Sequence, residues 1–220
     1  MNLLYPTDKH KEYIRYMTDV CNTKRYSLLL EGSLAKGCAK EFSDVDLIIC
    51  GNMKVEDLDD IIKCYDVLVM TNYTENPKGI FILNYKNGIS VDLDIRTAIT
   101  QKEKDGGIIL SDFGFPVGET IVRKEMKSKY LPERPQWYQT IRLIHRCCIK
   151  YLCGKAEIAD GLKLEVIDAV NQCCKEKPNY KNEMKYDLMA AFRVICAEYT
   201  VEQDVILLFE NLFASMSKCI

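Results

Sequence analysis

Two short apolar runs, joined by a glycine–serine pair and a pair of alternating aspartates, constrain this chain more than any other feature. The segment from Ser27 to Cys50 reads SLLLEGSLAKGCAKEFSDVDLIIC. Its runs LLL and LIIC have the length and hydrophobicity of strands buried in a sheet. The segment therefore predicts a strand, a sharp turn at Gly32 and Ser33, a short polar connection, and a second strand led by Asp44 and Asp46.

The glycine–serine pair is typical of a turn that approaches an anion. Gly32 lets the backbone turn sharply and brings its N–H groups close to a ligand, because no Cβ intervenes. Ser33 can cap a short helix that begins near Leu34, and a helix N-terminus favours negative charge. Taken alone, the pair also fits an ordinary strand-to-helix turn.

The two aspartates favour a cation site. Successive side chains of a strand point to opposite faces, so Asp44 and Asp46 share one face. Two carboxylates this close repel each other unless a cation lies between them. Hard oxygen ligands of this kind suit Mg²⁺. The alternative is a solvated edge strand, which the surrounding apolar residues disfavour.

A later segment offers a third carboxylate. Residues Gly88 to Arg96 read GISVDLDIR and alternate between apolar and polar positions. This alternation predicts a strand with Asp92 and Asp94 on the same face. Either aspartate could reach a metal on a neighbouring strand, although an amphipathic strand with a polar outer face shows the same alternation.

Together these motifs resemble the polymerase-beta-like nucleotidyltransferase superfamily, most closely its small antibiotic branch, the aminoglycoside and lincosamide adenylyltransferases. The resemblance covers about the first half of the chain. It implies that Gly32 and Ser33 hold the phosphates of a nucleotide and that Asp44 and Asp46 bind Mg²⁺. Two Mg²⁺ ions and a nucleoside triphosphate, with ATP the expected nucleotide, are the implied cofactor and co-substrate.

The resemblance also gives the third carboxylate a role, which is to activate the acceptor hydroxyl and to help hold one metal ion. The family pattern Gly-x-x-Val/Ile-Asp-Leu fits Gly88 to Leu93 and points to Asp92 as this catalytic and metal-binding residue. A second family pattern, Asp-Ile-Arg, fits Asp94. Asp92 is preferred and Asp94 stays open.

The implied reaction moves a nucleoside monophosphate to a hydroxyl of a small acceptor, such as an aminoglycoside or lincosamide antibiotic, and releases pyrophosphate. Two alternatives stay open. One is the same chemistry on RNA or a protein side chain, as in toxin–antitoxin members of the superfamily. The other is a non-catalytic nucleotide-binding module. The sequence does not indicate an oligomeric state.

Composition narrows the partners and the compartment. The 220 residues carry a formal net charge of −2 and a pI of about 5.8, which disfavours a nucleic-acid acceptor. The 11 cysteines are odd in number and form no C-x-x-C, so reduced thiols in a cytoplasmic protein are expected. No apolar run approaches the ~20 residues that span a bilayer.

The pattern of elements predicts an α+β fold. Residues 1–130 are expected to form a nucleotidyltransferase domain with a mixed sheet of about five strands and flanking helices. Residues 131–220 are expected to form an all-α helical bundle. The boundary is placed in SKYLPERPQ, from Ser128 to Gln136, because its two prolines disfavour helix on either side. Basic side chains of the first bundle helix, notably Arg142 and His145, are candidate triphosphate contacts.

Overall fold

The structure is a computed structural model that describes residues 3–63, 65–74, 80–119, 122–123 and 134–218. It confirms the α+β class, with a mixed sheet and flanking helices followed by a helical region. The helices are α1 (Asp8–Lys24), α2 (Gly32–Ala35), α3 (Val55–Lys63), α4 (Gln101–Gly106), α5 (Gln136–Leu152), α6 (Ala156–Cys173), α7 (Met184–Glu198) and α8 (Gln203–Met216). The strands are β1 (Ser27–Leu30), β2 (Val45–Cys50), β3 (Leu68–Thr74), β4 (Ile80–Tyr85), β5 (Ser90–Ala98), β6 (Ile108–Ser111) and β7 (Val122–Arg123).

The strands form one sheet in the order β3-β4-β5-β2-β1-β6, with β7 pairing with the end of β5. β2 and β5 are parallel, whereas β1 is antiparallel to both β2 and β6. β4 and β5 form the antiparallel hairpin that the Asn87-Gly88 turn predicts. The parallel pair places the two aspartate-bearing strands side by side in the middle of the sheet.

The two faces of the sheet have different partners. One face packs against α1 and α3 in a large apolar core that includes Leu30, Leu47 and Leu93. On the opposite face, Leu29 and Ile48 belong to a small apolar cluster with Cys50, Ile99 and Phe115. Because side chains alternate along each strand, Asp46 and Asp92 lie on this second face. The large core thus covers the first face of the sheet, and the acidic side chains lie on the second face.

Two elements differ from the sequence-based expectation. The stretch Asp105-Gly-Gly107 predicts a loop, yet its first two residues end α4, which begins with a capping box of Thr100 and Glu103, and the edge strand β6 follows. The segment from Asn72 to Pro77 predicts a turn between two strands, yet β3 continues through Thr74. The rest of that turn, and residues 128–133 of the expected linker, lie outside the described residues.

The chain divides into two compact units, Met1–Pro132 and Glu133–Ile220. In the second unit α5 packs against α6, α7 and α8, and Phe192 stacks on Phe209 with ring centroids 4.2 Å apart. The nine cysteines among the described positions all carry free thiols. No helix within the described part of the chain is long and apolar enough to cross a membrane.

Candidate active site

Gly32 and Asp46 are in direct contact at the centre of the second face. Gly32 begins α2 with φ +67°, a backbone conformation that residues with a Cβ rarely adopt. A Cβ built on Gly32 would lie 1.8 Å from Oδ2 of Asp46. Position 32 therefore admits only glycine while the Asp46 carboxylate keeps this place. The predicted turn and the predicted acid are parts of one site.

Three acidic residues lie in one row across the sheet. Asp46 of β2 is the register partner of Asp92 of β5. On the other side of Asp46, Glu31 extends the line of β1, and its backbone N–H donates to the carbonyl of Asp46 at 2.9 Å. Asp46 and Asp92 are both half-buried. The sheet thus brings together the two predicted aspartates and a glutamate that sequence reasoning did not select.

Asp94 lies two residues after Asp92 on β5 and has a different environment. Its Oδ2 accepts hydrogen bonds from Nε and Nη2 of Arg96, at 2.9 and 2.7 Å. Arg96 also donates through Nη1 to Oε1 of Glu103 at 2.5 Å. The Asp94 and Arg96 side chains are each about 5% exposed. Asp94 is therefore the buried counter-ion of an arginine.

Glu103 connects this ion pair to α4. Its Oε2 accepts from the backbone N–H of Thr100 at 2.8 Å and from the Thr100 hydroxyl at 2.9 Å. Burial raises the pKa of Glu103, but the bonds from Arg96 and Thr100 outweigh burial and lower it overall. Glu103 is thus held as a carboxylate that caps a helix and pairs with a buried cation.

Glu31 shows the opposite shift. Burial raises its pKa, and the neighbouring carboxylates of Glu103, Asp46 and Asp94 add to this effect, while Arg96 opposes it. Excess negative charge at a half-buried position is the condition that a bound cation relieves. Glu31 directly precedes Gly32 and, two positions after Leu29, shares the second face with it. This position is the sequence signal that would have identified Glu31.

The structure brings some of the predicted site residues together and leaves others apart. Asp46, Asp92 and Gly32 lie together, Asp44 directly precedes β2, and Ser33 follows Gly32 in α2. Across the described ranges, no group of three or more His, Cys, Asp or Glu side chains is arranged to hold a metal ion. The carboxylate donors nevertheless fit Mg²⁺ chemically, because this ion takes one or two protein carboxylates together with substrate phosphates.

The candidates from the helical half remain less defined. Arg142 and His145 lie on α5 and are both buried, with His145 edge-on to Phe209. Both side chains lie in the interior of the helical unit, and their role as triphosphate contacts stays a prediction. Two further basic residues that the sequence offers just before this helix, Lys124 and Lys127, lie outside the described residues.

The sequence matches no protein-family model and no curated protein. Among solved structures, it resembles a Thermotoga maritima CCA-adding enzyme complexed with tRNA (11% identity, TM-score 0.36, 96% of this chain and 52% of that chain). It also resembles a CCA-adding enzyme in complex with CTP (12%, 0.34, 94% and 54%). A third match is the STING-associated CdnE c-di-GMP synthase from Capnocytophaga granulosa (15%, 0.29, 97% and 84%).

The chain spans about half the length of the two CCA-adding enzymes. None of these three matches is an aminoglycoside or lincosamide adenylyltransferase. TM-scores below 0.5 establish neither a family nor an activity, so the functional case rests on the residues of the site.

Proposed function

We propose that this protein is a Mg²⁺-dependent nucleotidyltransferase. It moves a nucleoside monophosphate, AMP from ATP in the expected case, to a hydroxyl of a small-molecule acceptor and releases pyrophosphate. The observation that supports this most directly is the contact between Gly32 and Asp46, with Asp92 as the register partner of Asp46. A glycine turn packed against paired acids is unusual for a purely structural site, because the position excludes every side chain and the adjacent negative charges repel each other.

Each residue then has a stated task. Asp44, Asp46 and Asp92 would hold Mg²⁺, and Gly32 and Ser33 would hold the triphosphate. When bound, Mg²⁺ would neutralise the charge that develops on the attacking and leaving oxygens of an in-line displacement. The chain itself supplies position, because phosphoryl transfer requires little covalent chemistry from the protein.

The third catalytic role is assigned to Asp92. The side chain of Asp94 already accepts two hydrogen bonds from Arg96 in a buried pair. Drawing that carboxylate toward a metal would take from the guanidinium the partner that accepts two of its hydrogen bonds, and breaking a buried pair costs about 3–5 kcal/mol. Asp92, in contrast, lies directly beside Asp46 in the parallel pair.

The acceptor is proposed on weaker grounds than the reaction. The small-molecule class follows from the acidic pI of about 5.8 and from the family resemblance of the motifs. RNA or a protein side chain is the second candidate, and net charge alone does not exclude it because it says little about one cleft. A nucleotide-binding module without catalysis is the third.

The test is pyrophosphate release with Mg²⁺ and each of the four nucleoside triphosphates, against aminoglycosides, lincosamides and tRNA. Release with one antibiotic class identifies a small-molecule acceptor, and release with tRNA alone assigns the second candidate. Asp46→Asn and Asp92→Asn should each lower turnover at least about 100-fold, since loss of residues that merely orient metal ligands costs 10–100-fold. Nucleotide binding without release under any condition would support the module.

A further inference from the structure

A buried histidine outside the acidic row connects helix α1 to the loop that leads into β2. His10 lies in the first turn of α1 and is 2% exposed. Its Nε2 lies 3.0 Å from the backbone carbonyl oxygen of Ser43. Ser43 immediately precedes Asp44, one of the residues that would hold Mg²⁺. The ring therefore contacts the peptide unit from which Asp44 extends.

The partners of the ring define its hydrogen-bonding state. A carbonyl oxygen can only accept, so Nε2 of His10 must carry the hydrogen. In the neutral ring Nδ1 is then an acceptor, and the hydroxyl of Thr7, 2.7 Å away, must donate to it. Burial is the main cause that lowers the pKa of His10, which favours this neutral form. Both nitrogens are thus engaged and the ring orientation is fixed.

Two further hydrogen bonds shape the loop that His10 contacts. The backbone N–H of Ser43 donates to the carbonyl of Lys40 at 2.9 Å, and the backbone N–H of Lys40 donates to the Ser43 hydroxyl at 2.8 Å. These two bonds shape the turn but do not join it to the sheet or to a helix. The bond from His10 joins it to α1, whose Tyr13 and Met17 are part of the large core.

Because a peptide unit is planar, fixing the carbonyl of Ser43 also fixes the nitrogen and Cα of Asp44. The other side of Asp44 is fixed by Val45, the first residue of β2. His10 thereby determines the direction in which the Asp44 side chain leaves the backbone. Groups that orient metal ligands affect metal affinity without touching the metal.

We propose that His10 is a positioning residue that holds the Ser43–Asp44 peptide so that Asp44 can bind Mg²⁺. This role rests on the proposed function, since it requires Asp44 to be a metal ligand. His10 acts through a backbone carbonyl and takes no part in the chemistry. Its side chain is needed as a fixed N–H donor, not as an acid or a base.

The test compares two variants of nearly equal size and flexibility. His10→Gln keeps a side-chain N–H that can reach the Ser43 carbonyl, whereas His10→Met keeps the volume and has no donor. Binding of Mn²⁺, as a spectroscopic substitute for Mg²⁺, is measured by electron paramagnetic resonance with a non-hydrolysable ATP analogue, so that turnover is not needed. We expect His10→Met to bind Mn²⁺ about tenfold more weakly than the wild type. His10→Gln should recover most of this loss.

Met17→Ala is the matched control for a loosened helix. Met17 is fully buried on the same helix, two turns beyond His10, and its thioether has no hydrogen to donate to the Ser43 carbonyl, so its truncation destabilises α1 without removing the bond. Urea unfolding of all variants gives their stabilities. Weak metal binding in Met17→Ala equal to that of His10→Met would overturn the proposal, as would unchanged binding in His10→Met.

If His10→Met does not fold, ¹⁵N NMR of the wild-type imidazole decides instead. The proposal requires an Nε2–H tautomer whose proton exchanges slowly with water. A neutral ring protonated on Nδ1 would contradict it. Wild-type protein that binds neither Mn²⁺ nor nucleotide would overturn the proposed function itself, which differs from a wild type that binds and a His10→Met variant that binds equally well.

Discussion

At the scale of single residues, Gly32 offers the sharpest test of the site because the chain contains a matched control. Gly32 and Gly37 both have φ +67°. A Cβ at position 32 would collide with the Asp46 carboxylate, whereas a Cβ at position 37 would meet no atom within 4 Å. Both alanine variants bear the backbone strain, and only one of them disturbs the acidic row.

We therefore expect Gly37→Ala to cost about 1 kcal/mol in the free energy of unfolding and to leave nucleotidyl transfer nearly unchanged. Gly32→Ala should cost more, because Asp46 has to move, and should lower transfer at least about 100-fold. Urea unfolding and pyrophosphate release measure the two effects. Equal transfer rates for the two variants would separate Gly32 from the chemistry.

Arg96 allows a second residue-scale prediction. Replacing it by methionine leaves Asp94 and Glu103 as uncompensated carboxylates, the first almost fully buried. Loss of one partner from a buried pair costs about 3–5 kcal/mol. Arg96→Met should lower the urea stability by this amount, and adding Asp94→Asn to the same protein should recover part of it.

Lys24→Met is the control for this substitution. Lys24 bonds Asp57 and Asp60 at 2.7 and 2.9 Å, distances similar to those of Arg96. Its side chain is 25% exposed and that of Asp60 is 61% exposed, so water screens these pairs. The expected loss is at most about 1 kcal/mol. A loss in Lys24→Met equal to that in Arg96→Met would show that burial does not set the strength of the Arg96 network.

At the scale of elements, the end of β1 and the start of α4 should respond to pH in opposite directions. The pKa of Glu103 is lowered on folding, so its contribution to stability is present above its ordinary value of 4.5 and is lost as the pH falls below that value. The pKa of Glu31 is raised, so its charged form opposes folding at neutral pH and the cost disappears in acid.

Glu103→Gln should therefore destabilise the protein at pH 7, by about 2 kcal/mol for the lost charged hydrogen bonds. Glu31→Gln should stabilise it at the same pH. Below pH 4.5 both differences from the wild type should shrink. Thermal unfolding across this range, without metal, measures both, and a stabilised Glu103→Gln at pH 7 would contradict the assignment of the two carboxylates.

The same elements show what could be predicted from sequence. β2, β5 and the β4–β5 hairpin followed from alternation and from the Asn87-Gly88 turn, because these signals are local. The parallel pairing of β2 with β5 could not be predicted from the sequence, since strand register depends on contacts between residues distant in sequence. α4 was missed because its six residues are polar and its capping box lies in a glycine-containing stretch.

The candidate site divides in the same way. Gly32, Asp46 and Asp92 could be chosen from spacing and resemblance. Arg96, Glu103 and His10 could not, because each acquires its role from a tertiary partner, whereas the position of Glu31 directly before Gly32 is a local signal. The choice between Asp92 and Asp94 illustrates this point, since alternation places both on one face and only the Arg96 contacts distinguish them.

At the scale of the whole molecule, ligand linkage tests the site without knowledge of the acceptor. A ligand that binds the folded state stabilises it by an amount set by its concentration relative to Kd, about 2.7 kcal/mol at 100 times Kd. ATP with Mg²⁺ should raise the melting temperature of the wild type. ATP without metal should raise it less, because the half-buried acids on the second face then meet the phosphates without a cation between them.

Two variants locate this stabilisation in the protein. Asp46→Asn should lose the part that depends on Mg²⁺, since it removes a proposed ligand while the β2–β5 pairing is kept. Asp94→Asn should retain that part, because Asp94 serves Arg96, although its melting temperature without ligand should be lower. An Mg²⁺-dependent shift that survives in Asp46→Asn would remove Asp46 from the proposed metal ligands. A shift that disappears in Asp94→Asn would transfer the third metal-binding role from Asp92 to Asp94. It would also make Arg96 the group that releases the carboxylate when the metal binds.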